Sequence, residues 1–411
     1  MQSQTDINAG NNLKISYRQT FLNMRLPFCQ EENELLPLDE VQRLQPIVKW
    51  AGGKEKELKY ILPNIPSFDR YIEPFVGGGS VFMAMKADKF LINDLSSELI
   101  TLYRNIATSN RDFFAYATDI DTSWSAAGEF FCKNMSLVSL FEEYRKQVIT
   151  CQELKHKIKS FCETHKGDIA EVVGSNARLN KVFVKELEAN LFRKMCRMEV
   201  IEKDKGLLSQ KDLQDNIETA IKSALYMTYR YLYNDKSSNE IDDALRCALF
   251  LFIRNYAYSG MFRYNDKGDF NVPYGGIAYN SKSLQKKLNY YRSDELLQHF
   301  ANTAIFNLDF ETFLKEVNPT ENDFIFLDPP YDSEFSTYAQ NKFTRQDQKR
   351  LSDFMIDHCK AKWMLIIKNT DYIYNLYNKE GINISMFDKE YLVSFMNRNN
   401  KKTTHLMITN Y

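Results

Sequence analysis

The residues that speak most directly of chemistry are Asp328-Pro329-Pro330-Tyr331, which close the apolar run Phe324-Ile325-Phe326-Leu327. That run reads as a strand ending at the rim of a sheet, and in open α/β sheets ligands sit outside the carboxyl ends of the strands. Two prolines fix φ and stiffen the turn, so the Asp328 carboxylate and the proline carbonyls are held in place. Two preorganised oxygens accept both N–H bonds of an amino group and draw its lone pair out of conjugation. An aromatic at the fourth position stacks on a planar base. The plainer alternative is a rigid surface turn, since Asp-Pro often starts one. A Pro-Pro turn that closes an apolar strand and precedes Tyr331 is much less common, and the chemical reading is preferred.

A second group surrounds Glu73-Pro74-Phe75-Val76-Gly77-Gly78-Gly79-Ser80, which follows the strand-like Arg70-Tyr71-Ile72. Glycines at the end of a first strand let the backbone turn tightly and a ligand approach without Cβ clashes. A helix starting near Ser80 would aim its N-terminal N–H groups at the same space, which suits a carboxylate or phosphate. A plain strand-to-helix turn fits the same letters equally well. Phe82 stands where a dinucleotide fingerprint needs Gly or Ala, which disfavours NAD. Asp94 ends the next apolar run, seventeen residues after Gly77, where an acid accepts hydrogen bonds from a ribose. By residue type it serves as well for the N-cap of the helix that follows. Lys49-Trp50-Ala51-Gly52-Gly53-Lys54 puts an aromatic between two cations on a flexible loop; Val48 and Glu55 rule out a P-loop. Trp50 either covers a flat or cationic ligand or is a core anchor.

Between Tyr226 and Tyr279, aromatics, Arg and Asn recur with Gly breaks, a fair composition for reading bases and phosphates. Phe252 and Phe262 read as core, whereas Arg254, Arg263, Asn265 and Asn271 are polar tips available to nucleic acid. Asn397–Lys402 reads as a solvated hairpin tip rather than a phosphate contact. The five histidines include no pair at metal-ligand spacing, and His358 and His405 read as structural or exposed.

The elements that must position these groups follow an α/β rhythm in two places. Residues 46–106 alternate short apolar runs with Gly and Pro punctuation, and the rhythm returns from Ala304 in AIFNLDF, DFIFLDPPY, WMLIIKN and THLMITNY. Between them, residues 110–224 are rich in Glu and Lys at helical spacing. The expected organisation is a polar lead-in over 1–44, an α/β domain in two segments over 45–109 and 300–411, a helical insertion over 110–225, and a target-recognition region over 226–299.

The 411 residues suffice for an enzyme domain plus a second module. A net charge of −1 argues against a uniformly basic DNA coater, although a local basic face is enough to engage phosphates. Seven scattered cysteines with no CxxC pair suggest neither zinc nor disulfides, and fit free thiols in a reducing cytoplasm. No apolar run is long enough to span a bilayer, and the first residues lack a signal-peptide stretch.

Taken in order, KWAGGK at 49–54, EPFVGGGSVF at 73–82, Asp94, RYNDKGDFNVPYGG at 263–276, DPPY at 328–331 and ITNY at 408–411 resemble the Dam-type (D12 class) DNA adenine methyltransferases. The likeness covers roughly 46–106 and 226–411; residues 110–225 and the lead-in exceed what compact members carry. The resemblance implies a Rossmann-like methyltransferase sheet with an inserted, largely helical target-recognition region. It implies that Trp50, Lys54, Glu73, Phe75, Gly77, Gly79, Asp94 and Asp328 line an S-adenosylmethionine site, with no metal. Asp328, Pro329, Pro330 and Tyr331 would hold a flipped adenine, and Arg254, Arg263, Asn265 and Asn271 would meet duplex DNA. The implied activity is adenine-N6 methylation, by an enzyme that is either solitary or paired with a restriction endonuclease, in the cytoplasm of a bacterial, archaeal or phage-infected cell. Positioning would supply most of the rate, with no covalent enzyme intermediate. Three rivals are a cytosine-N4 methyltransferase, an RNA or protein-amide methyltransferase, and a non-catalytic DNA-binding module.

Overall fold

A computed structural model describes residues 43–174, 176–236, 241–331, 343–390 and 402–411. The lead-in up to residue 42 and the Asn397–Lys401 stretch lie outside the described residues.

Seven strands form one mixed sheet: β1 (Arg70–Glu73), β2 (Lys89–Asn93), β3 (Thr303–Phe306), β4 (Phe324–Leu327), β5 (Lys362–Lys368), β6 (Asn383–Glu390) and β7 (Lys402–Thr409). Their spatial order is β3-β2-β1-β4-β5-β7-β6. Strands β1 to β5 are parallel; β7 runs antiparallel to β5, and β6 to β7. The central strands are apolar on both faces because both faces are covered. In β4, Phe324 and Phe326 point into one hydrophobic core and Ile325 and Leu327 into another, which is the strand's two-residue period made visible.

The first core runs on from the sheet into a mass of helices: α2 (Ser97–Ala107), α3 (Arg111–Lys133), α4 (Ser136–Arg145), α5 (Cys151–Thr164), α6 (Lys166–Val173), α7 (Ala177–Lys205), α8 (Gln210–Asn234) and α9 (Asp243–Tyr256), after the short α1 (Leu58–Ile61). The Glu/Lys-rich stretch is therefore helical, and its ends are written in the sequence. Asn110, Asn176, Ser209 and Asp242 each accept a backbone N–H as N-caps, and Thr150 with Glu153 forms a capping box. Each such cap stabilises by about 1 kcal/mol. Helix α8 passes unbroken through residue 225, where the composition changes. Buried Trp124 of α3 packs on Phe252, Tyr256 and Tyr274, with ring centroids 5.5, 4.4 and 5.4 Å away. The Glu/Lys-rich helices and the aromatic segment thus share one interior.

Toward the C-terminus, α10 (Gln285–Tyr291), α11 (Asp294–Ala301), α12 (Phe310–Val317), α13 (Arg345–Asp353) and α14 (Asp371–Tyr377) intervene between strands. Among the described residues no helix is long and apolar enough to cross a membrane. The helix expected near Ser80 is only a three-residue 3-10 turn, Phe82–Ala84. Met85 is already extended, because the chain must re-enter the sheet at Lys89.

Candidate active site

Chain order and spatial order diverge between β1 and β4, which are adjacent and parallel although the chain visits β2 and β3 between them. Such a reversal of strand order is where the loops leaving the carboxyl ends diverge and a ligand crevice is expected. The Gly77–Gly79 turn leaves β1 and Asp328–Tyr331 leaves β4, so the two sharpest motifs meet here.

Lys54 ties them together. Its side chain is buried, and Nζ lies 2.5 Å from Asp328 Oδ1. The same Nζ donates to the Gly52 carbonyl at 2.7 Å and to the Tyr331 hydroxyl at 3.4 Å. A buried ammonium demands such partners, since an unpaired one is costly. The Lys54 backbone N–H donates to Ser80 Oγ, which anchors the KWAGGK loop on the glycine turn.

Gly79 has φ +84°, and a Cβ there would fall 2.5 Å from Tyr103 Oη. Gly77 has φ +50°, and its added Cβ would meet Trp50 Cδ1 at 3.0 Å. Trp50 is half-buried over this turn. The Tyr103 hydroxyl donates to the Gly77 carbonyl at 3.0 Å. Asp94 holds the other side of the turn, accepting from Gly77 N at 3.0 Å and from Ser96 N at 2.9 Å. Burial raises its pKa, and the N–H bonds from Ser96, Gly77 and Leu95 pull it back. The N-cap of α2 is Ser96, which accepts from Leu99 N, so Asp94 is released from the capping role its type allowed.

The crevice thus gathers Trp50, Lys54, Gly77, Gly79, Asp94, Asp328 and Tyr331. Pro329 is buried behind it, and the Pro330 carbonyl accepts from Gln348 Nε2 at 2.8 Å. Two other expected ligands are engaged within the protein, Glu73 beside the Lys54 and Asp328 charges. Glu73 is buried and accepts from the Tyr71 hydroxyl at 2.8 Å, its pKa held far above the usual range chiefly by desolvation. Phe75 packs in the second core against Phe310 and Phe343, both at 5.6 Å. Both support the β1 loop from within, Glu73 beside Tyr71 and Phe75 in the second core.

The polar tips of the aromatic segment divide the same way. Residues 257–274 form an irregular hairpin, bridged at Ala257–Tyr274 and Tyr264–Phe270. Arg263 and Asn265 are exposed on it. Arg263 Nε donates to Asn271 Oδ1 at 2.9 Å, and Asn265 Oδ1 accepts from Lys267 N and Asp269 N. Arg254 does not reach solvent: it is 6% exposed, with its guanidinium between Trp50 and Phe262.

Among the other participants, His405 was expected only to be structural or exposed, and Asn93, Lys282 and Lys287 were not singled out. His405, buried in β7, lies with Nε2 3.1 Å from the Tyr331 hydroxyl. Its signal was a histidine directly before the apolar run Leu406-Met407-Ile408. Asn93 clamps the β1 and β3 loops, donating to the Pro74 and Leu308 carbonyls, both at 3.0 Å. Lys282 and Lys287 flank Lys49. Desolvation, then the neighbouring lysines, lowers Lys282 to about 8; desolvation and Lys49 lower Lys287 to about 8. Lys282 Nζ donates to the Asn255 carbonyl at 3.3 Å and Lys287 Nζ to the Ile47 carbonyl at 3.2 Å.

Comparison with known proteins accords with this geometry. Residues 50–189 and 190–392 match the family described as D12 class N6 adenine-specific DNA methyltransferase, and the match runs through the helical stretch. The chain is 26% identical to the Type II methyltransferase M.CviBI of Paramecium bursaria Chlorella virus NC1A, over 90% of this chain and 100% of that protein. It is 25% identical to the Type II methyltransferase M.MjaIII of Methanocaldococcus jannaschii, over 90% and 99%. It is 22% identical to the DNA adenine methylase of Salmonella typhi, over 80% and 82%. Its reaction is therefore N6 methylation of adenine in DNA rather than N4 methylation of cytosine, and the chain belongs to the D12 class N6 adenine-specific DNA methyltransferase family.

Proposed function

We propose that the crevice between β1 and β4 binds S-adenosylmethionine, the methyl donor of this family, and receives one adenine flipped out of duplex DNA. The carrying observation is the Lys54–Asp328 pair at 2.5 Å, beside a glycine turn that no Cβ may enter. Opposite charges side by side suit the zwitterionic end of an amino acid, and Asp94 beside Gly77 suits a ribose. Trp50, Lys54, Gly77, Gly79, Asp94 and Asp328 would hold the cofactor, which supplies an electrophilic methyl group when bound. Asp328 and the Pro329 carbonyl accept from the adenine amino group, and Tyr331 covers the ring. Flipping is required because an amino group inside the stack is out of reach. These groups act by orientation. Gln348 and His405 keep the tetrapeptide and its tyrosine in place.

In this reading, a Rossmann-like catalytic domain comprises 45–109 and 300–411, residues 226–299 recognise the target, and 110–225 is a helical addition to them. Arg263, Asn265 and Asn271 face the duplex, with Lys49, Lys282 and Lys287 on phosphates. Two relatives named Type II methyltransferases favour a partner endonuclease acting at the same site. Once the target is mapped by methylation sequencing, 2-aminopurine placed at that adenine tests flipping. Its fluorescence should rise several-fold on binding; an unchanged signal beside normal methylation would contradict base extrusion.

A further inference from the structure

Arg254 is a buried cation whose charge no carboxylate answers among the described residues. Among the described residues its hydrogen bonds go to main-chain carbonyls: Nη1 donates to Gly260 O at 3.1 Å and Nη2 to Lys49 O. Its Nε is buried without an acceptor. Cζ sits 5.0 Å from the Trp50 ring centroid and 4.7 Å from that of Phe262. Desolvation draws its pKa down to about 10, so it is still charged at neutral pH.

Burying such a charge is expensive, and an apolar side chain of similar volume would fill the space more cheaply. What only a guanidinium provides is a planar fork that reaches two carbonyls while stacking on aromatic faces. The two carbonyls belong to different business. Lys49 precedes Trp50, whose ring lies against the Gly77 turn of the crevice. Gly260 follows Ser259 in a turn where both residues have positive φ, +62° and +52°, a costly conformation for serine. That turn opens the hairpin bearing Arg263 and Asn265.

We infer that Arg254 is a positioning residue that couples DNA engagement at the Tyr258–Arg263 turn to the Trp50 wall of the cofactor pocket. The inference rests on the crevice being the cofactor site. A turn pressed or released by DNA shifts the Gly260 carbonyl, the fork follows, and Lys49 and Trp50 move with it. Binding of DNA and of S-adenosylmethionine are then linked, and reciprocally so.

The test measures labelled S-adenosylmethionine by equilibrium dialysis, with and without saturating mixed-sequence duplex, for wild type, Arg254→Lys and Arg254→Met. Wild type should bind the cofactor at least about fivefold more tightly with DNA. In Arg254→Met that ratio should fall to one, with cofactor affinity in the absence of DNA within about threefold of wild type and KM for the cofactor raised more than kcat is lowered. Arg254→Lys should recover part of the ratio, and it serves alone if the methionine variant fails to fold. A wild-type ratio of one overturns the inference. So does a wild-type ratio retained in Arg254→Met, or weakened DNA affinity at an unchanged ratio, which would mark direct DNA contact. Wild type that binds no cofactor at all would instead sink the reading of the crevice.

Discussion

The sheet edge and the 257–274 hairpin both carry polar residues on an aromatic and aliphatic base, yet they place them by different means. At the sheet edge, a strand buried on both faces can release a polar group only where it ends, so Asp328 and Asp94 emerge at the rim together with the Gly77 turn. In the hairpin no regular period dictates direction, and the helix before it is buried on every side from Cys247 to Arg254. Arg254, at the end of α9, turns inward, while Arg263 nine residues on turns out. Residue type is thus a good guide to role where the backbone leaves one way out, and a poor guide where it leaves two.

The contrast can be broken at several points. Lys54→Met should have the largest effect, because it strands Asp328 beside an apolar side chain. A loss of about 3–5 kcal/mol of stability is expected, with cofactor binding abolished; thermal melts and dialysis check both, and wild-type binding would separate Lys54 from the pocket. Gly79→Ala forces a Cβ onto Tyr103 Oη at φ +84° and should cost about 1–3 kcal/mol with weakened cofactor binding. An unchanged melting temperature would mean that the turn can relax.

The hairpin should respond through DNA alone. Arg263→Ala should leave cofactor affinity intact and lower discrimination at one base pair by about 1–3 kcal/mol, read from methylation of a randomised duplex pool. Lys282→Met with Lys287→Met should reduce the salt dependence of DNA binding by about one unit of slope per lysine. The same pair predicts a pH effect. Both lysines sit near 8 in the free protein, and phosphate favours their charged form, so DNA affinity should fall as pH rises through about 8. The double variant should flatten that fall; an identical profile would remove the lysines from the interface.

Much of the sheet edge was legible in the sequence, because Phe324–Leu327 and Phe90–Ile92 are uninterrupted apolar runs of the kind buried in a sheet. The polar edge strand β6 was not, since Asn383–Glu390 lacks a clear apolar alternation. Nor was the crevice's support. His405 and Tyr331 lie 74 positions apart, and only the antiparallel return of β7 beside β5 brings them together. The inward turn of Glu73 and Arg254 depends on how strand and helix ends pack, which residue type alone does not encode.

The central claim is that adenine chemistry occurs at Asp328, at the end of β4. The most direct test incubates wild type and Asp328→Ala with labelled S-adenosylmethionine and mixed-sequence duplex DNA, then digests the DNA to nucleosides. Label in N6-methyladenine from wild type, reduced at least about 10²-fold in a folded Asp328→Ala, is the predicted result. Equal labelling by the two proteins, or label in N4-methylcytosine, would contradict it.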